Sequence, residues 1–426
     1  MSFQQGLSGL NAASKNLDVI GHNIANSNTV GFKASRAEFA EMVASAIGSA
    51  GGTNAGIGVE VGAVSQQFTQ GNLTITGNSL DVAVNGNGFF TLTLPDGTPA
   101  YTRSGNFKLD KEGNMITNDN ANVMGYPVDP ATGLRSGTDP IPMVFPTAEP
   151  IPAKQTSTIT AAFNLPATAT DAAGDPAATP PIPATPRATY GTSINVFDSQ
   201  GVAKPVSLYF QKTATDNTWD VYDALDDPTA VPPVVATAIG QITFDNNGAI
   251  TGPAATPPAT GFALPLTINP TPPNPNNLPT FPVSVSLDKV SQSGSKFAVS
   301  NLSQDGYTTG ELTGINIENN GMIMTRYSNG VTRAEGQLAL SSFRNTQGLA
   351  SVGSNNWVAT FESGQPVAGT ATDGNFGSLR SGALEDSNVD LTAELVNMMT
   401  AQRSYQANAQ TIKTQDQVMS TLVNLR

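Results

Sequence analysis

Apolar and polar positions recur with different periods in different parts of the chain, and the changes of period divide it. Near the start, Phe3, Leu7, Leu10, Leu17 and Ile24 recur at spacings of three and four, with Ser14 and Gly21 completing the series. That spacing predicts a helix with one apolar seam. Toward the other end Asp390 is placed to cap a second helix. One stripe of this helix runs Leu395, Met398, Gln402, Tyr405, Ala409, Ile412, Asp416, Met419 and Val423, and another holds Val396, Met399, Val418, Leu422 and Leu425. A helix that is apolar on more than one side needs more than one partner. From Leu391 onward it would extend roughly 54 Å at about 1.5 Å per residue, too long to lie on a small domain.

The two helices are expected to pair, antiparallel or parallel. Two readings of the leftover stripe stay open at this point: an intramolecular bundle, or burial against further copies of the chain. The candidate interface residues are Leu7, Leu10, Leu17, Ile24, Leu391, Leu395, Met398, Tyr405, Ile412, Met419, Leu422 and Leu425.

Between the helices the period drops to two. Leu80–Val84, Gly88–Leu94, Asn106–Asp110, Ser193–Asp198, Val206–Phe210, Gln241–Asp245, Gly314–Glu318 and Gly336–Phe343 all read as strands. Four connections repeat one device, DKEG at Asp110, DSQG at Asp198, DNNG at Asp245 and ENNG at Glu318. An acid at the first position and glycine at the fourth is the chemistry of a type I turn closed by a left-handed residue. These acids are therefore assigned to turns, not to catalysis.

Proline maps the organisation further. All 30 prolines lie between Pro95 and Pro366, so long helices are confined to the two ends. Pro166–Arg187 and Pro253–Pro282 are especially rich in proline and are expected to be extended surface loops or partly ordered inserts outside any core.

Composition removes most catalytic chemistry. The chain of 426 residues implies two or three domains. A net charge of −13 with only 12% charged residues argues against nucleic acid or anionic membrane as partners. With no cysteine and one histidine, disulfides, thiolate zinc sites, cysteine nucleophiles and multi-histidine metal clusters are excluded, and no cofactor is expected. His22 has only Asp18 within helical reach to orient it, so it reads as a surface residue. Asp386–Glu394 begins like a calcium loop but has Leu391 at the glycine position and Asn397 at the bidentate position; it reads as a helix start. Gly86 and Gly88 lack the third glycine of a dinucleotide fingerprint. Trp219 and Trp357 read as core residues. No apolar run is long enough to span a bilayer, and MSFQQGLSGLNAASK does not resemble a cleaved secretory signal.

Three stretches carry a resemblance. Leu7–Ser35, with the core NIANSNTVGFK, is similar to the N-terminal signature of bacterial flagellar axial proteins. LDVAVNGNGFF followed by YTRSGNFKLDKEGNM and VMGYP is a second match, and SGALEDSNVDLTAELVNMMTAQRSYQANAQ with the rest of the helix is a third. Within the flagellar rod and hook family the pattern resembles the hook proteins. The motif positions are Asn23, Asn26, Thr29, Gly31, Phe32, Lys33, Gln402, Arg403 and Tyr405.

The resemblance implies an α+β multidomain chain: paired long terminal helices forming a coiled-coil-like stem, and two mainly antiparallel β domains, the second inserted into the first. Residues 1–30 and 385–426 would form the inner tube of a hollow polymer. Residues 31–79 and 361–384 would be extended connectors, 80–145 and 302–360 an inner β domain, and 146–301 an outer one. It further implies a hook subunit forming a curved, flexible universal joint and export channel, located outside the cell and exported by the flagellar type III apparatus. Implied partners are other copies of the chain and the rod, hook cap and hook-filament junction proteins. A distal rod protein, a hook-filament junction protein and a secreted β-rich enzyme are the alternatives; the insert of about 150 residues argues against the first, and the missing catalytic constellation against the last.

Overall fold

A computed structural model describes residues 2–43, 56–130, 132–146, 149–174, 177, 184–226, 236–255, 261–268 and 278–424. A helix stands near each end, α1 at Ser2–Ala25 and α2 at Leu391–Asn424, and antiparallel strands in several sheets fill most of the remainder. Asp390 caps α2 as its position predicts, its Oδ1 accepting from the Thr392 and Ala393 N–H groups at 2.9 and 3.1 Å. No helix among the described residues is long and apolar enough to cross a membrane.

The described residues form two compact units. The first takes Met1–Ala148, Leu312–Arg326 and Thr332–Arg426; the second takes Glu149–Glu311 and Tyr327–Val331. In the first unit, strand Thr332–Ser342 pairs with both Asn122–Pro127 and Phe89–Thr93, placing Leu340 opposite Phe90 and Gly336 opposite Pro127. Early and late stretches thus share one sheet, around a core that includes Val82, Phe90, Leu92, Met115, Ile323, Leu338 and Leu340. Trp357 is buried with Phe89, Tyr101 and Phe343 in a separate aromatic cluster of edge-to-face contacts.

The second unit has two five-stranded sheets. One is the meander Gly191–Phe197, Ala203–Lys212, Thr218–Tyr222, Gly240–Phe244 and Ile250–Gly252. In the other, Thr158–Pro166 runs parallel to Phe281–Ser286 and antiparallel to Ala298–Gln304. Their inward residues, among them Ile159, Phe163, Leu208, Phe210 and Trp219, form one core.

All eight sequence-predicted strands are present, and the four predicted turns close hairpins. Gly113, Gly201, Gly248 and Gly321 have φ of 86°, 78°, 79° and 83°. Asp110, Asp198 and Asp245 each accept two backbone N–H bonds through Oδ1.

One expectation needs correction. The proline-rich stretch Pro253–Pro282 is not wholly outside the core, because Ala263–Ile268 is a strand whose Leu264, Leu266 and Ile268 are buried. Its Pro265 lies on the sheet's edge strand, where a missing N–H breaks no ladder. The stretches expected to be extended connectors carry paired strands. Ser35–Val43 forms a long hairpin with Gly56–Gln66, and Val367–Thr370 pairs with Thr332–Ser342. The rest of Pro253–Pro282 lies largely outside the described residues.

Candidate assembly site

α1 and α2 run antiparallel, so that Gly6 meets Ile412, Gly9 meets Asn408 and Asn23 reaches Glu394. The approach is close because the residues at the seam are small. A Cβ added at Gly6 would lie 3.1 Å from Ile412 Cγ1, and one at Gly9 would lie 2.9 Å from Asn408 Nδ2. Ala12, Ala13, Ile20 and Asn23 on α1 and Ala401 on α2 are buried. The other side of α1 lies on the hairpin, where Ser8 Oγ accepts from the Val59 N–H at 3.3 Å.

The seam is therefore not the apolar one that spacing singles out. It is turned by one residue, about 100° around α1. Leu7 is exposed and Leu10, Leu17 and Ile24 are half-buried. On α2 the displacement leaves Leu391, Leu395, Val396, Met399, Tyr405, Val418 and Met419 uncovered, with exposures from 37% at Tyr405 to 56% at Met419. Gln402 and Arg403 are also exposed, while Met398 and Ile412 are half-buried. The side chain of Leu422 and the whole of Leu425 lie outside what is described. Of the candidate interface, Ile412 meets the partner helix in the contacts above, and much of the rest is exposed among the described residues.

The motif residues Asn23, Asn26, Thr29, Gly31, Phe32 and Lys33, unlike the exposed Gln402, Arg403 and Tyr405, pack around the end of α1. Asn26 Nδ2 donates to the His22 carbonyl at 2.9 Å, and Thr29 Oγ1 donates to Asn26 Oδ1 at 3.2 Å, finishing α1. Gly31 follows at φ 70°, and a Cβ there would lie 2.6 Å from Ser104 N, so only glycine fits. Buried Asn23 exchanges hydrogen bonds with the Ser35 backbone, donating at 2.8 Å and accepting at 2.9 Å. Phe32 is buried with its ring 5.4 Å from that of His22, and Asp18 pairs with Lys15 instead of orienting the imidazole.

Lys33 is fully buried. Its Nζ donates to Glu385 Oε1 at 2.5 Å and to the Thr69 carbonyl at 2.7 Å. Glu385, also fully buried, accepts in addition from Gly71 N–H at 2.9 Å and from Arg103 Nη1 at 3.3 Å. One carboxylate thus serves two cations, and Arg103 also stands over the Phe89 ring at 5.2 Å. Burial pulls the Lys33 ammonium and the Arg103 guanidinium below their ordinary pKa values, and Glu385 opposes that shift in both. Sequence reading singled out Lys33 but missed Arg103 and Glu385. A signal was present: each of the three similar stretches, in a chain poor in charge, contributes one member of this cluster.

The fold is thus a pair of terminal helices joined to antiparallel β units, with an apolar helix face exposed among the described residues. Comparisons with known proteins agree along the whole chain. Family models match as Flagella basal body rod protein over residues 3–33, Flagellar hook protein FlgE/F/G D1 domain over 83–172, Flagellar basal body protein FlaE D2 domain over 164–307 and Flagellar basal body rod FlgEFG protein C-terminal over 380–425. The chain is 42% identical to the flagellar hook protein FlgE of Salmonella typhimurium and 43% identical to that of Escherichia coli K12, with both chains covered completely. It is 31% identical to that of Treponema pallidum, over all of this chain and 99% of the relative. The crystal structure of Helicobacter pylori flagellar hook protein FlgE2 matches in fold, with a TM-score of 0.53 at 15% identity, over 73% of this chain and all of that one. The chain belongs to the flagellar hook protein FlgE family and is a subunit of the bacterial flagellar hook.

Proposed function

We propose that the subunit polymerises through α1 and α2 into the inner wall of a hollow, curved tube. The observation that carries this is the row of apolar side chains on α2 that are exposed among the described residues. Leu7, Leu10, Leu17, Ile24, Leu391, Leu395, Met398, Tyr405, Ile412, Met419, Leu422 and Leu425 are the interface on this reading. Each buried side chain of this size contributes about 1.5–3 kcal/mol, so a few per subunit sustain a polymer. The helix pair is the stem, and residues 146–301 are a β domain inserted in the first, forming the outer layer.

The tube acts as a universal joint between rod and filament and as an export channel. With only 12% of the chain charged, outer units can slide with few ion pairs to break as the tube turns. Rod, hook cap and junction proteins bind its ends, the type III apparatus exports the chain, and the chain performs no catalysis. Concentrating the purified full chain and reconstructing the product by cryo-electron microscopy tests this. Tubes lined by α1 and α2 are expected; a monomer that forms no tubes, or tubes with α2 on the outer surface, overturns it.

A further inference from the structure

Phe361 is 102% exposed, yet the turn that carries it is rigidly braced. Thr360 N–H donates to Ser363 Oγ at 2.9 Å, Ser363 Oγ to the Thr360 carbonyl at 2.9 Å, and Thr360 Oγ1 to the Gly348 carbonyl at 2.5 Å. Asn345 Nδ2 adds a bond to the Glu362 carbonyl at 3.1 Å, and Ser363 is buried against Gly348. The four acid-to-glycine turns described above carry polar residues and glycine instead, the residues water and turn geometry favour. Here a phenylalanine is held out at no further cost in backbone order, which is how an interface anchor is built.

The same unit contains a hollow that suits it. A groove of about 430 Å³ between α1, α2 and the hairpin is lined by Gly9, Ala12, Ala13, Phe39, Val59 and Ala401 together with the polar but uncharged Asn16, Ser404 and Asn408. Phe39 in that groove is itself 44% exposed, offering an aromatic ring to an incoming one. In head-to-tail assembly a protrusion on one copy meets a hollow elsewhere on the next. We propose that Phe361 seats in this groove of a second copy of the chain. The proposal rests on the polymer reading above and names one contact within it.

Because the chain has no cysteine, engineered pairs report unambiguously. Phe361→Cys combined with Val59→Cys, oxidised in assembled tubes, is expected to give covalent ladders on a denaturing gel, whereas Phe361→Cys alone gives none. Phe361→Ser should leave the circular dichroism of the monomer unchanged and raise the concentration needed for assembly about tenfold or more. Tubes from the double variant without ladders, equal ladders from the single variant, or Phe361→Ser assembling at the wild-type concentration overturn the contact and leave the polymer reading standing. Absence of wild-type tubes overturns both.

Discussion

Lys33 and Glu385, 352 positions apart in the chain, form an ion pair of 2.5 Å in which neither side chain has any exposure to solvent. The pair joins the segment leaving α1 to the segment entering α2, and Arg103 ties both to the large sheet. Removing one partner of a buried pair costs far more than the pair contributes, because the remaining charge is stranded.

Glu385→Gln leaves two buried cations facing a neutral amide. It is expected to lower stability by about 3–5 kcal/mol in urea denaturation of the full chain. Replacing all three members by apolar residues, Lys33→Met, Arg103→Met and Glu385→Leu, should be less damaging than the single change. A triple variant less stable than Glu385→Gln would contradict this.

Gly31→Ala tests the close approach beside that cluster. At φ 70° and 2.6 Å from Ser104 N, a methyl group requires backbone movement, and a loss of more than about 1 kcal/mol is expected. An unchanged denaturation midpoint would show that the segment shifts freely.

Val418→Ser with Met419→Ser separates assembly from folding. Both side chains are already exposed in the single chain, so monomer stability should change by no more than about 0.5 kcal/mol. Tube formation followed by light scattering and microscopy should fail. A large fall in monomer stability would mean that the face is covered within the chain.

Asp305 supplies a pH dependence in the second unit. Burial pushes its carboxyl up, but the Thr158 N–H, the Ser157 hydroxyl and N–H and the Lys154 ammonium outweigh burial and hold its pKa at about 2. The unfolded carboxyl titrates near about 3.9, so the unfolded chain takes up the proton first. The stabilisation is therefore complete above about pH 4 and is lost as the pH falls toward about 2. Asp305→Asn should be less stable than wild type at neutral pH, and the gap should close over that interval. A gap independent of pH would assign the effect to packing.

What was legible in the sequence is what local physics controls. Asp390 caps its helix because a carboxylate three residues or fewer from free N–H groups needs no distant partner, and the four acid-to-glycine turns follow from backbone geometry alone. Strands such as Phe89–Thr93 and Ala203–Lys212 show their period because one face of each is buried wherever the sheet lies. The hairpin Ser35–Val43 with Gly56–Gln66 escaped notice because the first strand, SRAEFAEMV, is rich in alanine and glutamate, residues with little strand preference. Only the tertiary structure decided which stripe of α1 meets α2. Spacing marks the large apolar residues, but the two helices approach closely where side chains are small, at Gly6 and Gly9, and many of the larger ones stay exposed among the described residues. The same holds for Lys33, Arg103 and Glu385: each charge is visible in the sequence, but their convergence is a property of three distant segments brought together by the fold.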